Sequence, residues 1–341
     1  MTKRLGKQTI KFDVPPVITA SAAVVGDKEG EGPLRDYFDY ISADPYFGEK
    51  TWEKAESTML KQCFYSACDK AQLAVSDLEY IFAGDLLNQC ISSAFALRDC
   101  GIPYFGLYGA CSTMGESMSL AAMTIDGGYA DKVCAITGSH FCSSERQYRF
   151  PLEYGGQRSP TAQWTVTGAS AAMVSGAGEK NCPRIEKAII GRVVDKGVTD
   201  AGNMGAAMAP AAAQTIADFL NDTRTAPSDY DIILTGDLGK VGSELLYELT
   251  ESEYGINIRE KHNDAGMMMY YTDGQDVHSG GSGCACCGTV MCSKILSELN
   301  GGTLRNALIV ATGALLSTVS SFQGESIPSV AHGILISGKG N

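Results

Sequence analysis

The feature that most constrains this chain is an internal repeat. The run Asp77-Leu78-Glu79-Tyr80-Ile81-Phe82-Ala83-Gly84-Asp85-Leu86 is echoed by Asp229-Tyr230-Asp231-Ile232-Ile233-Leu234-Thr235-Gly236-Asp237-Leu238, down to the closing Gly-Asp-Leu. Gly127–Gly138 returns as Gly301–Gly313, and Met173–Gly176 as Ile334–Gly338. The turn Gly109-Ala110-Cys111-Ser112-Thr113-Met114-Gly115, with the helical run Glu116–Ile125 after it, has its counterpart in Gly281-Ser282-Gly283-Cys284-Ala285-Cys286. Four landmarks in one order identify a tandem duplication of a β/α unit.

The landmark strands read as buried apolar runs, and helical patterns lie between them. Trp52, Ala55, Met59, Leu60, Cys63, Phe64 and Ala67, for example, fall at helical spacing and predict a helix over 52–71. Strands alternating with helices predict mainly parallel sheets covered by helices, an α/β fold. The first half is read as residues 1–180, with an N-terminal arm over 1–50 and a loop over 140–165, and the second as 181–341. Sites in such folds gather where strands end at their carboxyl side. Asp85, Cys111, Asp237 and the Cys284 turn all stand at such ends.

Composition narrows the function classes. A formal charge of −12 argues against a general nucleic-acid surface. The basic start, residues 1–8, lacks the apolar core of a signal peptide. The longest apolar stretch, Ala307–Leu316, is too short to span a bilayer, so any membrane association is expected to be peripheral. Twelve cysteines follow no disulfide framework and are read as free thiols. Cys284, Cys286, Cys287 and Cys292 lack the second spaced ligand pair of a structural zinc site and are read as small buried residues.

Strand, tight turn and helix in succession put the Cys111 thiol at a helix N-terminus. Free amides and the helix dipole favour an anion there, and cysteine nucleophiles are built at such places.

Further motifs are spread along the chain: Gly84-Asp85-Leu86-Leu87-Asn88-Gln89, Gly109-Ala110-Cys111-Ser112-Thr113, Glu145-Arg146-Gln147-Tyr148-Arg149-Phe150-Pro151 and Glu153-Tyr154-Gly155-Gly156-Gln157. They continue with Ala207-Met208-Ala209-Pro210-Ala211-Ala212-Ala213, Lys261-His262-Asn263-Asp264, Gly280–Cys286, and Glu325-Ser326-Ile327-Pro328 before Ala331-His332-Gly333. With these the chain resembles the stage V sporulation protein AD family over nearly its whole length, and the thiolase superfamily more broadly. The resemblance implies a thiolase-like five-layered α-β-α-β-α fold. It implies a role in dipicolinic acid uptake during spore formation, as a soluble partner of membrane channel proteins, peripheral at the spore inner membrane. Thiolase-like folds often pair through the sheet edge of the first half, so a homodimer is also implied.

Cysteine-dependent acyl transfer needs a thiolate, a group that moves protons and an oxyanion hole. Condensing enzymes of the ketoacyl synthase III type carry a His after the strand equivalent to Ile232–Leu234 and an Asn at the second-half Gly-rich turn. This chain has Thr235-Gly236-Asp237 and Gly281-Ser282-Gly283-Cys284 there. Ala311 stands nearest the second thiolase cysteine, and no Gly-His-Pro lies in Gly280–Cys287. A helix N-terminus alone lowers a thiol from about 8.5 by less than about one pKa unit, so Cys111 is expected to stay protonated. His140 and His332 are the histidines whose positions allow them to face it.

The expected function is therefore non-catalytic binding of dipicolinic acid, and the alternative is an acyl-thioester transferase or condensing enzyme using Cys111. Dipicolinate is a planar pyridine with two carboxylates. Cys111 and Ser112 amides would receive one carboxylate and Ser326 would donate to the other, with His332 and Asp85 beside them. Asp85 repels a dianion unless it is protonated, accepts a hydrogen bond from a protonated ligand, or shares a Ca²⁺ with it. No resident cofactor is expected. Asp237 is read as a helix cap, His262-Asn263-Asp264 as a turn, and Arg146, Arg149 and Arg158 as a solvated loop or a subunit interface.

Overall fold

The computed structural model describes residues 3–148, 158–176 and 181–339. In the first half, β1 (Val17–Val25), β2 (Tyr80–Gly84), β3 (Tyr104–Gly106), β4 (Lys132–Ser139) and β5 (Gly168–Ser175) lie side by side as β1-β5-β4-β2-β3. In the second half, β6 (Arg184–Ile189), β7 (Ile232–Thr235), β8 (His262–Asp264), β9 (Asn306–Ala314) and β10 (Ser329–Ser337) lie as β6-β10-β9-β7-β8, the same order strand for strand. The two sets join where Val17 of β1 pairs with Arg184 of β6.

The sheets are mixed rather than mainly parallel. Helical crossovers carry the chain back to the same end, so β2, β3 and β4 run parallel, as do β7, β8 and β9. The connection from β4 to β5 instead starts and finishes at one end, with Ser139 opposite Gly168, and β5 is antiparallel to both β4 and β1. Where the sequence suggests an arm over 1–50, β1 runs through the sheet. Its Val-Ile-Thr-Ala-Ser-Ala-Ala-Val-Val run is β-branched at both ends, with small residues where α1 packs close.

Helices complete five layers. α1 (Trp52–Ala71) covers the outer face of the first sheet, setting Met59, Leu60, Cys63 and Phe64 against Val24, Ile136 and Met173. After α2 (Ile91–Leu97), α3 (Thr113–Asp126) lies between the sheets. α4 (Phe141–Tyr148) occupies the start of the stretch expected to be a loop. α5 (Met204–Thr223) covers the second sheet, packing Met208, Ile216 and Phe219 on Ile189, Leu308 and Val310, and α6 (Gly239–Tyr254) flanks it. α7 (Cys284–Val290) joins α3 in the middle, where Met114, Met118, Cys287 and Val290 meet Phe82 and Ala135 of one sheet and Leu234 and Ile309 of the other.

At its closest approaches that middle layer has room only for small residues. A Cβ on Gly288 would run into the Ser170 hydroxyl, and one on Gly115 would meet the His332 carbonyl at 2.8 Å. The same squeeze accounts for the cysteine run, whose Cys284, Cys286, Cys287 and Cys292 are buried free thiols. No helix among the described residues is long and apolar enough to cross a membrane.

Candidate functional site

The chain leaves β3 and turns sharply at Ala110, which takes the left-handed backbone with φ at +51°. Ala110–Ser112 form one tight helical turn and α3 begins at Thr113. The turn is tied internally. Ser112 Oγ donates to the Gly109 carbonyl at 2.7 Å, and Thr113 Oγ1 donates to the Ala110 carbonyl at 2.6 Å. From the other half, Gly313 of β9 passes directly beneath, so close that a Cβ there would overlap the Gly109 carbonyl oxygen. A strained φ held by crossing backbone is the usual way a fold presents one side chain.

Cys111 is thereby set in the wall of a cavity of about 90 Å³. Ser144, Glu145 and Tyr148 of α4 line it, with Ala162, Gln163 and Thr165 from the strand-like segment before β5. Met204 and Met208 of α5 and Ser282 come from the second half. No Lys, Arg or His lines it among the described residues. Tyr148 is held by its hydroxyl, which donates to the Leu86 carbonyl at 2.6 Å and lies 2.7 Å from the Tyr108 hydroxyl.

The chemistry at Cys111 is set by the second half. Its Sγ lies 3.9 Å from the Ser282 hydroxyl, which donates to Asp237 Oδ2 at 3.0 Å. Asp237 also accepts from the Gly283 amide at 3.1 Å and from Thr312 Oγ1 at 2.6 Å. Burial, then the Asp237 charge and a hydrogen bond to that carboxylate, push the Cys111 thiol well above its ordinary 9.0. Burial also raises Asp237 itself to about 6, against its hydrogen bonds. A carboxylate near 6 removes a proton from a thiol above 9 with an equilibrium constant below about 10⁻³. The arrangement holds a neutral thiol beside hydrogen-bonding groups.

The remaining sequence-predicted residues lie elsewhere. Asp85 is fully buried, and its oxygens accept from the Leu87 amide at 2.9 Å, the Ser93 amide at 2.8 Å and the Ser93 hydroxyl at 2.7 Å. It therefore caps the start of α2. Ser326 is on the outside and donates to Asp195 at 2.6 Å. His332 accepts from the Gly191 amide at Nδ1, and burial lowers its pKa to about 4. His140 is bound to Pro45 O at 2.8 Å and to the Cys142 amide. Of the five residues expected to hold ligand, Cys111 lines the cavity, and Asp85, Ser112, Ser326 and His332 do not.

Ser282, Asp237, Gln163 and Tyr148 were not singled out as ligand groups. The duplication held the signal for two of them, since Asp237 and Ser282 are the repeat counterparts of Asp85 and the Cys111 turn. Asp237 does not cap its own helix, because Asp264 takes the Leu238 and Gly239 amides at 2.8 and 2.9 Å. His262-Asn263-Asp264 is not a turn but β8, with His262 between the hydroxyls of Thr235 and Tyr247. Arg146 pairs with Glu53, and Arg158 stacks on Trp164 and pairs with Asp276. Arg149 and the Glu153–Gln157 motif lie outside the described residues. The described residues contain no group of three or more His, Cys, Asp or Glu able to hold a metal ion.

Comparison with known proteins adds the following. Residues 6–337 match the family model described as Stage V sporulation protein AD. Stage V sporulation protein AD of Bacillus subtilis (strain 168) is 41% identical over 336 residues, covering 98% of this chain and 97% of that protein. Among solved structures, a variant of OleA from Xanthomonas campestris has a TM-score of 0.61 at 13% identity, covering 98% of this chain and 99% of the other. The 3-oxoacyl-[acyl-carrier-protein] synthase III of Aquifex aeolicus VF5 has a TM-score of 0.57 at 13% identity, with 94% and 99% covered. At these identities the two structures share the thiolase-like fold with this chain.

Proposed function

The chain belongs to the stage V sporulation protein AD family, and on that premise we propose that it binds dipicolinic acid without transforming it, for uptake into the developing spore. The observation that carries the reading is the company kept by Cys111. A thiolase-like turn is retained, but a hydroxyl and a carboxylate too weakly basic to deprotonate the thiol stand where acyl transfer would need a base. The thiol remains protonated, and the cavity is left as a hydrogen-bonding pocket for a small planar acid. In this reading Cys111, Ser282, Gln163 and Tyr148 face the ligand, Ser112 braces the Cys111 turn, and Asp85, Ser326 and His332 hold their own parts of the fold. Calcium, if it travels with the ligand, arrives as its chelate.

The partners proposed are the membrane channel proteins of the same sporulation system, met peripherally at the spore inner membrane. A homodimer is proposed through β3, which ends its sheet and exposes Tyr104 and Phe105. Isothermal titration with dipicolinic acid, with and without Ca²⁺, tests the reading. Saturable heat supports it, and the absence of heat or thermal protection at millimolar ligand removes it.

A second reading keeps Cys111 as an acyl acceptor, favoured by the condensing-enzyme fold of the structural neighbours. Incubation with acyl-CoA followed by intact-mass measurement decides it. An acyl adduct lost in Cys111→Ser would establish that reading in place of the first.

A further inference from the structure

Asp237 is buried, and none of the groups bonded to its carboxylate is a cation. Its hydrogen-bond donors are the Ser282 hydroxyl, the Thr312 hydroxyl and the Gly283 amide, with the Cys111 thiol beside them. The titratable groups that face it are Cys111 from the turn before α3, Asp264 at the end of β8, and Cys284, Cys286 and Cys287 of α7. Each of these is neutral or negative. Ser282, the donor nearest the cavity, spends its proton on Asp237 and so turns it away from any ligand. Two polar atoms on residues that line the cavity have no partner and no accessible surface of their own: Ser144 Oγ and Gln163 Oε1. A buried polar atom without a partner costs free energy, and here two of them belong to residues that line a space with no lining cation among the described residues.

We propose that Asp237 takes up one proton as a carboxylate ligand enters the Cys111 cavity, so that the site binds an anion and a proton together. The inference rests on the reading of the cavity as a dipicolinate site. The proton comes from bulk water and settles on Asp237 Oδ2. The Ser282 hydroxyl then swings from Oδ2 to a ligand carboxylate oxygen, and the new Asp237 O–H donates to Ser282 Oγ in its place. Thr312 and Gly283 keep their bonds. Ser144 Oγ, by turning into the cavity, gains an acceptor. One O–H bond forms on Asp237 as solvent gives up the proton, and no bond between heavy atoms changes. The negative charge brought in by the ligand favours the protonated acid at close range, and Asp237 already stands near 6 before ligand arrives.

The test is calorimetric titration of the full chain with dipicolinate at pH 7 in buffers of different ionisation enthalpy. The wild type should take up close to one proton per ligand, and its Kd should rise about tenfold between pH 7 and pH 8. Asp237→Asn should bind with heat that no longer depends on buffer. Ser282→Ala should weaken binding at least about fivefold while keeping the uptake. Buffer-independent heat in the wild type overturns the inference and leaves the dipicolinate reading standing. Uptake that persists in Asp237→Asn, or full affinity in Ser282→Ala, overturns the assignment to this pair. No heat from the wild type ends the dipicolinate reading and this inference with it. The wild-type series is decisive even if Asp237→Asn does not fold.

Discussion

Replacing Asp237 by Asn should make Cys111 more reactive, by an amount the geometry fixes. The Ser282 hydroxyl is 3.9 Å from the sulfur and 3.0 Å from Asp237 Oδ2. Thiolate and carboxylate are therefore no more than about 7 Å apart, where two like charges repel by about 2.4 kcal/mol at an effective dielectric of about 20. Removing that charge lowers the thiol pKa, and about 2.4 kcal/mol of lost repulsion corresponds to a thiolate fraction about fiftyfold higher at pH 8. A less basic thiolate is also a weaker nucleophile, so the alkylation rate should rise only about tenfold. Iodoacetamide labelling, followed by mass spectrometry of the Cys111 peptide, measures it. Asp237 is itself protonated below about 6, so the difference between variant and wild type should fade at pH 5. A general loosening of the fold would persist there. Equal rates at pH 8, or a difference that survives at pH 5, would refute the coupling.

Three further outcomes are expected. Burial raises the Glu29 carboxyl from 4.5 to about 7 against its bond from Tyr270. The unfolded chain loses that proton near 4.5 and the folded chain near 7, so the folded state binds more protons in between and stability falls as pH rises through this window. The cost reaches about 3 kcal/mol by pH 8, and in urea unfolding Glu29→Gln should gain on the wild type at pH 8 but not at pH 4. Gly313→Ala would drive a methyl into the Gly109 carbonyl and to 2.9 Å from the Ser112 amide. It should destabilise by about 2 kcal/mol and change the Cys111 labelling rate, and a normal unfolding midpoint with unchanged labelling would contradict the packing. If β3 pairs with its copy, Phe105→Lys should convert a sedimenting dimer to a monomer. A wild type that is monomeric at tens of micromolar protein would rule that pairing out.

Much of the fold is legible along the chain. The Gly-Asp-Leu repeat and the two glycine-rich turns identify a doubled β/α unit, and the spacing from Trp52 to Ala67 gives α1 its buried face. What the chain order conceals is strand direction. β4 and β5 read as two buried strands, and only the pairing of Ser139 with Gly168 shows that the connection reverses. β1 escapes notice because small residues packed on both faces carry neither helical nor alternating period.

The candidate site divides in the same way. Sequence alone determined that a thiol would stand at the start of a helix and that Asp85 and Asp237 would be repeat counterparts. Local order decides these, because turn, cap and helix involve neighbours in the chain. Which aspartate meets Cys111 is a tertiary matter. Ser93 and Leu87 consume Asp85 locally, whereas Asp264 takes over the capping beside Asp237 and leaves that carboxylate to Ser282, Thr312 and the thiol. These partners lie far apart in sequence and come together only when the two halves pack across the central helices. Desolvation between the sheets then sets both pKa values, and no local pattern encodes that burial.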